Sequence, residues 1–239
     1  MGQVIRTGQA GRVGGGRPGL WSTTVGKKAV LAATGVVMLG YVIAHMLANL
    51  KIFFGRESLD GYGIWLRRLF APALGYGGFV WLVRAALLVC VVLHGAAAAR
   101  LARRARAARP VGYQHRMPVQ GGYAARTMRW GGVIIGLFVV YHVLDITTGT
   151  ANPHGVPGAD YQNLVADFQP HRWYVAVVYA VAVLAVGAHI RHGLWSAFQS
   201  LGVTGATRRA LRATALAVAV AICTGYLSVP VAVLTGLVR

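Results

Sequence analysis

Acidic residues are scarce: five Asp and Glu stand against 24 Lys and Arg, and charged side chains make up 12% of the 239 residues. A soluble domain of this size carries about a quarter charged residues, so an ordinary water-exposed globule is excluded. Cysteine is nearly absent. Cys90 and Cys223 both lie in apolar runs, where a lone cysteine is a small packing residue; they supply no disulfide framework and no cysteine cluster for an iron–sulphur centre. No Gly-rich flavin or dinucleotide fingerprint is present either. Redox chemistry based on flavin or iron–sulphur must come from another chain.

What the sequence has instead is apolar length. Hydrophobic residues make up 56% of the chain. Five stretches, about 29–54, 77–102, 129–149, 172–199 and 210–237, each reach the roughly 20 residues a helix needs to cross the hydrocarbon core. The expected fold is an all-α polytopic membrane protein, a five-helix bundle. It comprises a basic, Gly-rich N-terminal tail (1–28) and one transmembrane domain (29–239). No short apolar core with a small-residue cleavage site follows the tail, so the first span is expected to stay as an anchor.

The net charge of +19 would suggest nucleic acid in a soluble protein. Here the arginines alternate with the spans. The tail, the segment from Arg100 to Arg129 and the linker with Arg208, Arg209 and Arg212 are basic, while 150–171 holds Asp160 and Asp167 and only one arginine, Arg172, follows directly. The positive-inside rule then puts the N-terminus in the cytoplasm and the C-terminus outside. It predicts a lipid bilayer, and no nucleic acid, as the surroundings of the chain.

Each of the first four spans carries a histidine near its middle, and the fifth carries none. Ionisable side chains inside a span are costly and mark function. At about 1.5 Å per residue, His45 and His142 lie roughly 5–6 Å outside the midplane, and His94 and His189 a similar distance inside it. Two imidazoles at one depth on different helices are what a six-coordinate haem iron needs, one axial nitrogen from each face. The set therefore predicts two stacked b haems, with Gly40, Gly95, Gly136 and Gly187 letting a flat ring approach the backbone. A zinc site is disfavoured, because the acids and cysteines that complete such sites are not nearby. His192 competes with His189 as fourth ligand, but depth matching favours His189. His115, His154 and His171 fall in loops. Arg84 is either a partner for a haem propionate or a snorkelling interface residue. Asp145 either relays protons or caps the outer end of span three.

These residues carry a resemblance to a known family. TGVVMLGYVIAHMLANL around His45, VVLHG at His94, TMRWGGVIIGLFVVYHVLD up to His142 and, most specifically, AHIRHGLWSAFQSLG from Ala188 to Gly202 resemble the membrane cytochrome b subunit of succinate dehydrogenases and fumarate reductases, in its single-chain, five-helix, dihaem form. The loop pieces DGYGIWLR and ADYQNLVADF are similar as well. The resemblance implies His45 with His142 as ligands of the outer haem and His94 with His189 of the inner one. It implies a bacterial plasma-membrane anchor that does not itself oxidise succinate. Electrons would pass from a flavoprotein subunit with FAD through an iron–sulphur subunit to this chain and on to a quinone, menaquinone in the dihaem branch, in a complex that could form a higher oligomer. The quinone would bind either at the inner end, by His192, Ser196 and Gln199, or at the outer end, by His45, Asn49, Glu57 and Asp60.

Two rival readings use the same residues. A transporter or proton channel could use the histidines as relays, but it would need more carboxylates within the spans and broken helices. The cytochrome b subunit of another membrane dehydrogenase would differ in connection lengths and in the exit HGLWSAFQSLG.

Overall fold

The computed structural model describes residues 19, 21–108, 122–152, 154–156, 158–200 and 207–239, with nothing said of the side chains of 122–127. Among these residues every regular element is helical, and five helices are long and apolar enough to cross a membrane. The N-terminal part of the tail, His115 and the motif residues Leu201 and Gly202 lie outside the described residues.

Helix α1, Thr24–Asn49, starts five residues before the predicted span because Thr23 caps it: the Gly26 N–H donates to Thr23 Oγ1 at 2.9 Å. Lys27 is buried in the first turn, where its ammonium donates to the carbonyls of Trp21 (2.5 Å) and Thr23 (3.1 Å). A 3-10 turn, Leu50–Phe54, continues α1 to Gly55, whose φ of 91° lets the chain turn sharply. The segment 55–76, predicted as a loop, instead folds into α2 (Arg56–Arg68) and the one-turn α3 (Ala71–Leu74). Glu57 in the first turn of α2 and Arg67 and Arg68 in its last suit the helix dipole, and Leu59 anchors it in the core.

The second crossing, α4 (Gly78–Ala107), runs five residues past the predicted end into the arginine-rich connection. Alanine and arginine are strong helix formers, and the charged end can leave the membrane without ending the helix. Helix α5 spans Gly122–His142 and passes into a wide π turn, Val143–Thr147. Region 150–171 was also predicted as a loop; it contains α6 (Asp160–Asp167) and a 3-10 turn, Pro170–Arg172, that feeds α7 (Trp173–Ser200). Helix α8, Thr207–Leu234, stops three residues before its predicted end. Gly236, at φ 73°, donates to Val233 O, and Leu237 N–H returns to Ala232 O at 2.8 Å, a glycine stop that satisfies the last carbonyls.

Helices α7 and α8 pack closely, α1 packs on α4, and α5 on α7. Gly187 makes the first contact possible: a Cβ there would collide with Cys223 Sγ of α8. It is a helix-packing glycine, not the ring-facing one predicted. The best-buried apolar cluster lies at one end of the bundle. Ile52, Leu59, Leu164, Phe168, Val175, Tyr179, Val229 and Val233 meet there from the turn after α1, α2, α6, α7 and α8. The two surface helices seal this end. Asp60 of α2 accepts from the Tyr161 N–H of α6 at 2.8 Å, and the Tyr161 hydroxyl donates to Arg239 O at 3.0 Å. The other end gathers the basic residues. Arg100 lies over the Trp21 ring, Arg104 donates to Ser22 O at 2.8 Å, and Arg212 lies 4.4 Å from the centre of the Trp195 ring.

Candidate functional site

The four span histidines meet in two pairs. The rings of His45 (α1) and His142 (α5) have centroids 5.9 Å apart at an interplanar angle of 78°. Those of His94 (α4) and His189 (α7) are 6.2 Å apart at 56°. Four different crossings supply the four rings, and all four are half-buried. No hydrogen bond joins the two rings of either pair among the described residues.

One ring in each pair has its orientation and tautomer set by a neighbour. The Tyr179 hydroxyl donates to Asp145 Oδ2 at 2.9 Å. Its proton is therefore committed, and the 3.2 Å contact between Tyr179 Oη and His142 Nδ1 must be an Nδ1–H donating to the phenol oxygen. Nε2 of His142 is left as the free lone pair. The His94–His189 pair repeats the device with a smaller group. Thr34 Oγ1 donates to Val30 O at 2.7 Å and receives His94 Nδ1–H at 3.0 Å, again freeing Nε2. His45 is steered by apolar packing instead: Tyr41 stacks on it at 5.5 Å and 9°, and the Tyr226 ring lies 6.1 Å away. Nδ1 of His189 is buried with no partner among the described residues.

The same bonds measure the spacing of the two layers twice. On α1, Thr34 marks the His94–His189 layer and His45 the His45–His142 layer, 11 residues apart, or about 16 Å of helix rise. On α7, Tyr179 marks the His45–His142 layer and His189 the His94–His189 layer, 10 residues apart, or about 15 Å. Two helices of opposite direction agree.

Glycines stand against the inner rings. A Cβ on Gly35 would meet His94 Cε1 at 3.6 Å, and one on Gly132 would meet His189 Cε1 at 4.0 Å. At Gly40, Gly95 and Gly136 a Cβ would meet nothing within 4 Å.

The remaining predicted residues are more scattered. Arg84 is exposed and lies 4.9 Å from the centre of the Trp81 ring, an arrangement that suits an interface residue. His192 is half-buried within electrostatic reach of His189, one turn nearer the basic end. Ser196 and Gln199 are exposed further along α7, Asn49 is half-buried without a side-chain bond, and Glu57 is exposed on α2. Asp60 is engaged in holding α6, so its first role is structural. Asp145 does not cap the end of its span. It is 1% exposed and belongs to a buried polar network with Tyr179, Asp167 and Arg172. Sequence reasoning missed Thr34, Tyr179, Asp167 and Arg172. Thr34 alone left a trace there, since Thr34, Tyr41 and His45 recur at helical spacing on one face of α1.

Chemically, each pair offers two neutral imidazoles as soft-to-borderline nitrogen donors, embedded in an apolar bundle and held by neighbours that fix the ring. No family model matches this chain, and neither a curated protein nor a solved structure shows significant similarity to it.

Proposed function

We propose that this chain is the membrane-anchor cytochrome b subunit of a succinate:quinone oxidoreductase, and that each histidine pair holds one b haem. The observation that carries the reading is the pair geometry. A metal–nitrogen bond of about 2 Å and a ring centre roughly 1 Å beyond the nitrogen put the centres of two imidazoles on one metal about 6 Å apart. The two pairs stand at 5.9 and 6.2 Å. Among the described residues no group of three or more His, Cys, Asp or Glu gathers, so each donor set is two imidazoles. That suits axial ligation of a haem rather than a closed tetrahedral zinc site.

In this reading His45 and His142 hold the outer haem, and His94 and His189 the inner one. The haems supply reversible one-electron storage. The protein's own contribution is to orient His142 through Tyr179 and Asp145 and His94 through Thr34, to exclude water with the apolar rings around His45, and to hold the layers about 15 Å apart. The sequence motifs around the four histidines support the same family. A flavoprotein subunit with FAD and an iron–sulphur subunit would dock at the arginine-rich end, taken as cytoplasmic, and a membrane quinone, menaquinone by the resemblance, would complete the path. Asn49 and Glu57 at the outer end and His192, Ser196 and Gln199 at the inner end are the residues available to a quinone.

In bacterial membranes holding this chain together with its two soluble subunits, succinate should reduce the b-type absorbance, and a quinone analogue should reoxidise it. Reduction by dithionite but not by succinate would leave the haems in place and overturn the choice of partner. The relay reading gains one point from the buried Asp145, but no hydrogen bond among the described residues continues the network from the outer layer to the inner one.

A further inference from the structure

Beside the outer pair lies a polar cluster that ligation of a haem does not by itself require. Asp145, in the π turn after α5, and Asp167, the last residue of α6, are 1% and 0% exposed, and their carboxyl groups face each other. Every charged or titratable group around them among the described residues can be assigned. Arg172, from the 3-10 turn, makes an ion pair with Asp167 Oδ1 at 2.9 Å and donates to Asn152 Oδ1 at 3.1 Å. Tyr179, from α7, donates to Asp145 Oδ2, and Tyr141, from α5, lies beside Asp145. One guanidinium therefore faces two carboxyl groups. Asp145 Oδ1 and both oxygens of Asp167 are buried with no hydrogen-bond donor among the described residues, Arg172 meeting Asp167 Oδ1 as an ion pair.

Two buried carboxylates at contact distance cannot both remain ionised beside a single cation. A single proton held between Asp145 Oδ1 and an Asp167 oxygen gives each of the two carboxyl groups a partner. We infer that Asp145 and Asp167 share one proton, and that this pair is a redox-linked proton acceptor for the outer end of the electron path. The first half of that statement stands on this cluster alone; the second rests on the dihaem reading.

The link runs through one side chain. Tyr179 bonds Asp145 with its proton and His142 with its oxygen, so the charge on the pair is felt two hydrogen bonds from the outer ligand. One electron passing through the site between His45 and His142 on its way to a membrane quinone would add one negative charge there. One proton drawn from the outside water onto the singly protonated pair compensates it, and that proton leaves again when the electron does.

Infrared difference spectroscopy on the intact chain in nanodiscs tests the shared proton. A protonated-carboxyl carbonyl band, sensitive to deuterium exchange, is expected at neutral pH, and both Asp145→Asn and Asp167→Asn should abolish it. Because the two residues sit on different elements, a folding failure in one variant leaves the other as the test. No such band, or a band that survives both substitutions, overturns the pair. The linkage is read separately, by redox titration across pH. The outer midpoint should depend on pH in the parent chain and be flat in Asp167→Asn and in Tyr179→Phe, with the inner midpoint unchanged throughout. A pH dependence that survives Asp167→Asn overturns the linkage. A chain that shows the carboxyl band yet binds no haem overturns the function proposed above and the linkage, and supports the shared proton.

Discussion

The two histidine pairs are built on the same plan in different surroundings. The outer pair abuts the driest part of the molecule: His142 hands its Nδ1 proton to Tyr179, Tyr179 is tied to a buried carboxyl, and α2 and α6 close the end above it. The inner pair relies on one threonine and lies one turn from His192 and Arg191, near the basic end. A phenol bonded to a buried acid shifts electron density at a ligand far more than a hydroxyl bonded to a helix carbonyl, since a charged group stands behind it. The same pair of side chains is thereby given two electrostatic settings, which under the proposed function would set the two centres apart.

The largest test of that comparison removes ligands. His45→Ala or His142→Ala should take away the outer haem alone, and His94→Ala or His189→Ala the inner alone, each halving the pyridine-haemochrome yield per chain. Loss of both from any one of these changes would mean that the layers are not independent. His192→Ala should leave the yield at two.

Next in size is Tyr179→Phe. It strands Asp145 and frees His142, at a cost of about 1–3 kcal/mol for the unsatisfied buried group. Losing the group that orients a ligating imidazole weakens metal retention about 10–100-fold. Haem-transfer rates to an apoprotein acceptor should show this at the outer site only; equal loss from both sites would reduce Tyr179 to a packing residue.

The charge behind Tyr179 should also be visible in stability. Asp167 has its folded value raised from 3.8 to about 7, so the folded chain holds more protons than the unfolded one between those values. Stability from this group is fully present below about 4 and is lost as pH rises through about 7. Thermal unfolding in nanodiscs should therefore soften across that window, and Asp167→Asn should flatten the profile. A melting point that climbs over the same window would reverse the sign.

The smallest expected effect is Thr34→Val. It removes a neutral bond worth about 1 kcal/mol and should loosen the inner haem slightly while sparing the outer one. An effect as large as that of Tyr179→Phe would erase the difference between the two ends.

Most of the fold was legible in the chain. Apolar length located all five long helices, with ends up to seven residues off, because the bilayer admits little else. The histidine pairing was legible too, since constant rise per residue converts position into depth. The sealed outer end was not. Helices α2 and α6 are short and charged, and their support comes from Leu59, Leu164 and Phe168 packing on distant helices, which no local pattern announces. The Asp145–Asp167–Arg172 cluster was hidden for the same reason: its members lie on separate elements that only the tertiary fold brings together. Gly187 looked like a glycine for a cofactor, being two residues from His189, and proved to serve Cys223 on the opposite face.

The measurement closest to the central claim is the haem content of the purified, folded chain, with a dithionite-reduced minus oxidised spectrum and low-temperature EPR. Two b haems per chain, both low-spin with bis-imidazole signals, are expected. A folded chain that carries no haem when isolated together with its partner subunits would contradict the account.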